Sequence, residues 1–362
     1  MQARVPKKVS MTDALIRELL PFLNSEDTNC STGPLCRLSV GGNNQTFRFD
    51  HNGARYFVKR YFTHPTDLRD RQGNEQRFIT LLQEQNIPSI AKLIAIDSQS
   101  HVSIFEFVEG SKLSPQAIAD GHIDLLAQFF TSVNSIRTKP EAQSLQIASE
   151  AFFTLAEHLQ CIDKRITRLQ GIKESSHLLK KAKAIVLQQI IPLWTKVKQQ
   201  LSDNASRHQA AWAELTENAS ARCLSPSDFG FHNAILTPSG ELVFVDFEYS
   251  GWDDPAKTIC DLFWQVASPI SLEQCRRFYG EILESFPNPA SLAERVQLLL
   301  PVFGIKWCCI VLNHFTAQDR LRKEFSDEQA HSENILDQQL HKALTIIARL
   351  QAKDYECLMG PP

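Results

Sequence analysis

No Cys-x-x-Cys pair occurs in the sequence, and its nine cysteines follow no regular spacing, so neither a zinc ribbon nor a disulfide framework is encoded. An odd count of this kind fits reduced thiols, and the expected location is the cytoplasm. Basic charge is not in excess: 38 Lys and Arg face 41 Asp and Glu, a net charge of −3. A nucleic-acid backbone normally requires a clearly basic face, so nucleic acid is not an expected partner. The sequence also lacks the roughly 20 uninterrupted apolar residues of a membrane span. Its most apolar stretch, residues 298–315, is broken by Pro301 and Lys306 and reads as a buried helix. The N-terminal segment has a helical apolar period interrupted by Arg17 and Glu18, unlike the apolar core of a signal peptide. Neither an internal repeat nor a low-complexity tract is present. What remains is ordinary globular composition, 43% apolar and 22% charged, in 362 residues. That length exceeds what one core usually organises, so two lobes are expected.

The two lobes differ in texture. Leu15, Leu19 and Leu20 share one face of a short helix over residues 12–23. Three short aromatic-rich runs follow, LCRLSV, TFRFD and RYFVKRYF, the first two separated by Gly41-Gly42-Asn43-Asn44. The second and third are separated by His51-Asn52-Gly53, and Asn-Gly is a strong hairpin signal. A helix over residues 67–85 carries Phe78, Leu81 and Leu82 at helical spacing and stops before Ile87-Pro88. AKLIAID and VSIFEFV supply two more strands. The expected fold is therefore α+β: a five-stranded antiparallel sheet with a helix in residues 1–108, then a mostly helical lobe over residues 109–362. One apolar stripe there runs Leu179, Ala182, Val186, Ile190, Leu193, Val197 and Leu201, kinked by Pro192. Another runs Leu336, Leu340, Ala343, Ile347 and Leu350. Only residues 224–249 interrupt the helices, with strands over 234–236 and 242–245.

The polar residues form an ordered set. Glycines in the Gly41-Gly42-Asn43-Asn44 turn let backbone N–H groups approach a phosphate closely. Lys59 alternates with Val58 on its strand, and Glu75, sixteen residues on in the next helix, is placed to hold its ammonium. In SPSDFGFHNAIL, Asp228 and Asn233 flank a tight turn, and VFVDFEY follows with Asp246 and Glu248 at a strand end. Phosphoryl transfer from a nucleotide needs positive charge on the phosphates, a metal ion bridging them, and a carboxylate to take the acceptor's proton. Asp228 would be that base, Asn233 and Asp246 would bind Mg2+, and Glu248 would support a metal-bound water.

The run GGNNQTF, YFVK, FEFVEG, SDFGFHN and VDFEY resembles the aminoglycoside phosphotransferase and choline kinase family, over most of the chain. The resemblance implies a two-lobed protein-kinase-like fold and an ATP- or GTP-dependent kinase acting on a small hydroxylated molecule. It implies that the backbone of Glu106, Phe107 and Val108 binds the nucleotide base, and that Asp254 and Asp261 play structural roles. Two departures stand out: Pro226 where the family has a histidine propping the catalytic loop, and Asn134 where it has a histidine in the first large-lobe helix.

Only eight residues separate Asp246 from Pro255, and no Ala-Pro-Glu follows, so a docked peptide substrate is not expected. Sugars, amino alcohols and aminoglycosides remain open as acceptors, as does a cage for a quaternary amine built from Trp252, Trp264 and Trp307. Two other readings stay open beside the kinase. One is a nucleotide-binding pseudokinase, suggested by Pro226. The other is a helical scaffold in which these polar residues are caps and surface charges.

Overall fold

The hairpin turn at Asn52-Gly53 sets the register of the sheet. Both residues have left-handed backbone, with φ of 51° and 76°, which a two-residue type I′ turn demands and which Asn and Gly adopt at least cost. The turn joins β2 (Gln45–His51) to β3 (Ala54–Arg60), with Phe47 opposite Val58 and Thr46 opposite Lys59. β1 (Cys36–Leu38) lies outside β2, while β4 (Leu93–Asp97) and β5 (Val102–Glu106) complete an antiparallel sheet in the order β1-β2-β3-β5-β4. Side chains alternate across it. Leu35, Phe47, Phe49, Val58, Val102 and Ile104 form a small core on one face, which turns Thr46, Phe57, Lys59 and Phe105 to the other.

The structure, a computed structural model, describes residues 33–38, 43–64, 67, 69–203, 212, 213, 215, 221–317, 319 and 332–359. The helix expected over residues 12–23 and the glycines Gly41 and Gly42 lie outside the described residues.

α1 (Arg71–Glu84) begins where the Asp70 carboxylate accepts the Gly73 N–H at 3.0 Å, an N-cap that satisfies one of the helix's orphan donors. Its Phe78, Ile79, Leu81 and Leu82 are buried in the large core formed with the helices that follow. The same helix therefore serves the sheet and the helical part.

Those helices are α2 (Asp120–Ser135), α3 (Leu155–Gln170), α4 (His177–Ile185), α5 (Ile191–Ser202), α6 (Pro255–Trp264), α7 (Leu272–Glu284), α8 (Pro289–Leu312) and α9 (Glu333–Ala352). A π turn over Val186–Ile190 joins α4 to α5. Pro192 has no N–H to give to the preceding turn, and the widened turn accommodates that gap. The extra residue rotates the buried face, so Trp194 is enclosed and Leu193, expected on the stripe, is only partly buried. By length and composition the segment Pro289–Phe315 could cross a membrane, but 78% of its most apolar window is buried, with α8 packed among α3, α6 and α9. An all-round apolar helix of this kind is a core helix.

Two small strand pairs carry the polar loops: β6 (Cys223–Ser225) with β9 (Gly251–Asp253), and β7 (Ala234–Leu236) with β8 (Leu242–Phe244). β6 and β9 are three residues each, too short to show an alternation in the sequence. The chain leaves β5 and passes to the helical part at Gly110. There Ser111 and Leu236 exchange backbone hydrogen bonds of 3.0 and 2.9 Å. A Cβ on Gly110, whose φ is 153°, would stand 2.3 Å from the Leu236 carbonyl oxygen, so only glycine permits this approach.

Candidate active site

Lys59 is 4% exposed, and its ammonium stands 2.7 Å from Glu75, 2.5 Å from Asp246 and 3.6 Å from Glu248. β3 supplies the lysine, α1 supplies Glu75, and the segment after β8 supplies the other two carboxylates. Burial works against the charge on Lys59, yet Asp246, Glu75 and Glu248 hold its pKa well above the ordinary lysine value. Glu75 also accepts the Tyr61 hydroxyl at 2.6 Å and the Phe247 N–H at 2.9 Å. It therefore fixes both the lysine and the backbone beside Asp246.

Glu248 sits elsewhere than expected. It is fully buried, and its oxygens accept from Arg71 at 2.6 Å, Asn44 at 2.6 Å and Asn43 at 3.3 Å. A carboxylate held by so many N–H donors anchors the β1–β2 hairpin, in place of the expected support for a metal-bound water. The Asn43 and Asn44 side chains are likewise engaged: Asn43 also donates to the Tyr249 hydroxyl, and the Asn44 oxygen accepts the Phe62 N–H. Arg71, which sequence reasoning passed over, lies 177 residues from Glu248, and no local pattern announces such a pair.

Asp246 has a left-handed φ of 69°, a conformation that costs energy in a non-glycine residue and is commonly held where function requires it. Burial raises its pKa, Lys59 opposes that, and the neighbouring Glu248 and Glu75 add to it, leaving it at about 6. Three carboxylates thus converge on Lys59, while Arg71 is shared between Glu248 and Asp67. Asn233 is brought alongside by a hydrogen bond from the Val245 N–H to its carbonyl, 3.0 Å. Its side-chain N–H donates to the Asp228 carbonyl at 3.0 Å, so that bond does not occupy its amide oxygen. Asp246 and Asn233 together suit a hard cation that takes its remaining ligands from phosphates and water. Among the described residues no cluster of three or more His, Cys, Asp or Glu side chains could hold a metal unaided.

Asp228 follows β6 and keeps 43% of its side chain exposed. Its Oδ1 lies 2.9 Å from Nε2 of His232. Burial of the loop opposes ionisation, but the His232 ring, Lys257 and Lys306 keep its pKa below the ordinary aspartate value. The loop around it is braced without the family's histidine. The Asp228 N–H donates to the Pro226 carbonyl, and Ser225 Oγ accepts the Ser227 N–H at 2.9 Å. The Lys257 ammonium, paired with Asp253 at 2.6 Å, donates to Ser227 Oγ at 2.9 Å. Ser227 itself is left-handed, with φ of 66°.

Asn134 holds β6 from behind. Its side chain accepts the Leu224 N–H at 2.9 Å and donates to the Leu224 carbonyl at 3.1 Å. Replacing Asn134 with Leu leaves both buried backbone groups unpartnered, a loss of about 2–6 kcal/mol at about 1–3 kcal/mol each. The expected result is a lower denaturation midpoint, read by circular dichroism. An unchanged midpoint would mean that β6 does not depend on this clamp.

Asp254 caps α6 through the Ala256 N–H and pairs with Arg295 at 3.1 Å, while Asp261 pairs with Lys306 at 3.3 Å and accepts the Trp307 indole N–H. Between the sheet and the helical part lies a cavity of about 360 Å³. Leu38, Phe57, Ala91 and Phe105 supply apolar walls, and Lys59, Glu75, Asn233 and Asp246 lie at its polar side. Glu106, Phe107 and Val108 line it too. The Glu106 and Phe107 N–H groups are donated to the carbonyls of Lys92 and Arg55, so Val108 carries the hinge amide still available to a ligand.

The profile of the phosphotransferase enzyme family matches residues 34–295. Among solved structures, the chain is similar to the choline kinase of Cryptosporidium parvum (TM-score 0.59, 14% identity, 96% of this chain and 100% of that one). It is similar also to the choline kinase LicA of Streptococcus pneumoniae (TM-score 0.57, 16% identity, 93% and 99%). A third is a spectinomycin phosphotransferase in complex with ADP and spectinomycin (TM-score 0.53, 12% identity, 92% and 97%). At these identities the structural likeness establishes the two-lobed kinase-like fold. No curated protein matches the sequence significantly. The family match takes in the hairpin, Lys59, Glu75, Asp228, Asn233 and Asp246, and on that span the chain belongs to the phosphotransferase enzyme family.

Proposed function

We propose that the protein transfers the terminal phosphate of ATP to a hydroxyl of a small molecule, with Asp228 as general base and Asn233 and Asp246 as ligands of Mg2+. The observation that carries this reading is the convergence of Lys59, Glu75 and Asp246 within 2.7 Å at the polar side of an apolar-walled cavity. The apolar walls accept a base, the Val108 amide gives it a hydrogen bond, and the Lys59 ammonium meets the phosphates. As the acceptor oxygen bonds to the terminal phosphorus, its proton passes to the Asp228 carboxylate. The bond from that phosphorus to the bridging oxygen breaks, and ADP leaves. Mg2+ supplies neutralisation of the phosphate charge when bound. Adenine nucleotides are favoured as donors because neighbours of the same fold were solved with AMP and with ADP. The short connection from Asp246 to α6 supports a small acceptor in place of a peptide.

Incubation with ATP, Mg2+ and mixed alcohols, followed by 31P NMR, should yield a new phosphomonoester signal. Unchanged ATP with every acceptor would count against the reading.

A pH dependence follows from Asp246. A carboxyl whose pKa is raised to about 6 is largely protonated below that pH, and a metal ligand must be ionised. Stabilisation by Mg2+ with ADP, over ADP alone, should therefore be full near pH 7.5 and fade as pH falls through about 6. Thermal shift at the two pH values checks it, and a Mg2+ effect of equal size at pH 5 would contradict it.

A further inference from the structure

A carboxylate open to solvent turns freely unless a side chain holds it, and a general base must offer one oxygen to one proton. Asp228 keeps 43% of its side chain exposed, so water can satisfy it and folding does not oblige the protein to pair it. It is paired nonetheless. Oδ1 lies 2.9 Å from Nε2 of His232, whereas Oδ2 has no hydrogen-bond partner among the described residues. The mount of that imidazole is firm. His232 lies in a single 3₁₀ turn, Phe231–Asn233, pinned by the buried ring of Phe231 and by the Asn233 N–H, which donates to the Gly230 carbonyl at 3.0 Å. Lys112, which lines the nucleotide cavity, donates to the His232 carbonyl at 2.7 Å. The ring lies against Gly230, where an added Cβ would stand 3.1 Å from Nδ1 and 3.3 Å from Cε1. A side chain there would crowd the imidazole.

The ring's polar atoms point to one duty. Nδ1 is buried without a partner among the described residues, so Nε2 makes the ring's close polar contact. An ionised carboxylate only accepts, so Nε2 is the nitrogen that bears hydrogen. The Gln265 amide nitrogen also faces Nε2, but at 3.5 Å, and the oxygen of that amide accepts the Ala267 N–H at 2.8 Å. That separation is too long to compete with the contact to Asp228. Pro226, two residues before the base, brings no polar side chain to the task, and no other histidine occurs between residues 223 and 253. Resting on the assignment of Asp228 as general base, we propose that His232 is a positioning residue for phosphoryl transfer, donating from Nε2 to Oδ1 and so presenting Oδ2 to the acceptor hydroxyl. The acceptor's proton passes to Oδ2 as its oxygen bonds to the terminal phosphorus and the bond from that phosphorus to ADP breaks. The imidazole keeps its own proton throughout. Orientation of this kind acts on the rate, because a misplacement of about 1 Å can cost about 10²-fold.

The test compares wild type with His232→Leu, His232→Gln, Asp228→Asn and the double variant of Asp228→Asn with His232→Leu. Phosphoryl transfer from ATP with Mg2+ is followed to the alcohol that gives the phosphomonoester signal, and to water. His232→Leu should lower kcat by roughly 10–10²-fold, with the KM for the alcohol and the affinity for ADP near wild type. Retained ADP binding also shows that the variant folds. His232→Gln, whose amide nitrogen reaches about as far as Nε2, should recover most of the rate. In the Asp228→Asn background the Leu substitution should add little, because residues that act as a unit are not additive. Imidazole 15N NMR of wild type should place a proton on Nε2 of His232, a reading that needs no variant to fold. A Leu variant as fast as wild type beside a slow Asp228→Asn would overturn the proposal and leave the base in place. So would a Gln variant as slow as Leu, a fully multiplicative loss in the double variant, or a proton on Nδ1 alone. Wild-type rates in Asp228→Asn would remove the base on which the proposal rests. No transfer by wild type to any alcohol or to water would remove the phosphotransferase reading itself.

Discussion

Replacing Asp228 with Asn should lower kcat by roughly 10²–10⁴-fold, the range for a positioned general base, while affinity for ADP stays close to wild type. The reason is the separation of duties in the site. Asp228 does not line the nucleotide cavity, and its backbone bonds to Pro226 and Asn233 do not involve the carboxylate. An amide can still accept from His232, so the loop should hold its shape and stability should change by less than about 1 kcal/mol. What the amide cannot do is take a proton. Single-turnover kinetics with saturating nucleotide would show the loss in the chemical step. A kcat within a few-fold of wild type would exclude Asp228 as the base.

Replacement of Lys59 with Met is expected to damage both stability and activity. The side chain is buried among Glu75, Asp246 and Glu248, and its removal leaves carboxylates facing one another with only Arg71 opposite. Removing one partner of a buried ion pair costs about 3–5 kcal/mol, so the urea midpoint should fall clearly. The loss should shrink at lower pH. A carboxyl whose folded pKa lies above its unfolded value binds a proton on folding, so protonation favours the folded state as pH falls through the raised value. In wild type Asp246 already stands at about 6 with Lys59 present, and without the lysine it should rise further. The variant should therefore recover part of its stability between pH 7 and pH 5, and it should release no ADP above background. Equal midpoints for variant and wild type at pH 7 would show that Lys59 is not the hub of the cluster.

The sequence carries much of this site because its parts are local. Asn52-Gly53 announces a hairpin by its own backbone preference, and alternation then puts Lys59 on the face opposite Val58. Asp228 and Asn233 flank one turn, and Asp246 ends the next short strand, so their chemistry shares one sequence window. The surroundings of Glu248 are not legible in this way, because they depend on Arg71, Asn43 and Asn44, contacts that only the folded chain creates. Asn134 is legible only as a departure from the family pattern and Lys257 not at all, because their roles depend on distant partners: one grips β6 from ninety residues away, and the other reaches Ser227 across thirty. The displaced face of α5 has another cause. Periodicity assumes an unbroken 3.6-residue turn, and the π turn before Pro192 adds a residue to it.

The most direct test is calorimetric titration with ADP, with and without Mg2+, on wild type and on Asp246→Asn. Both proteins should bind ADP, and Mg2+ should strengthen binding in wild type alone, because the neutral amide cannot replace the carboxylate at the cation. An equal gain from Mg2+ in both proteins would place the ion elsewhere and contradict the assignment of this centre.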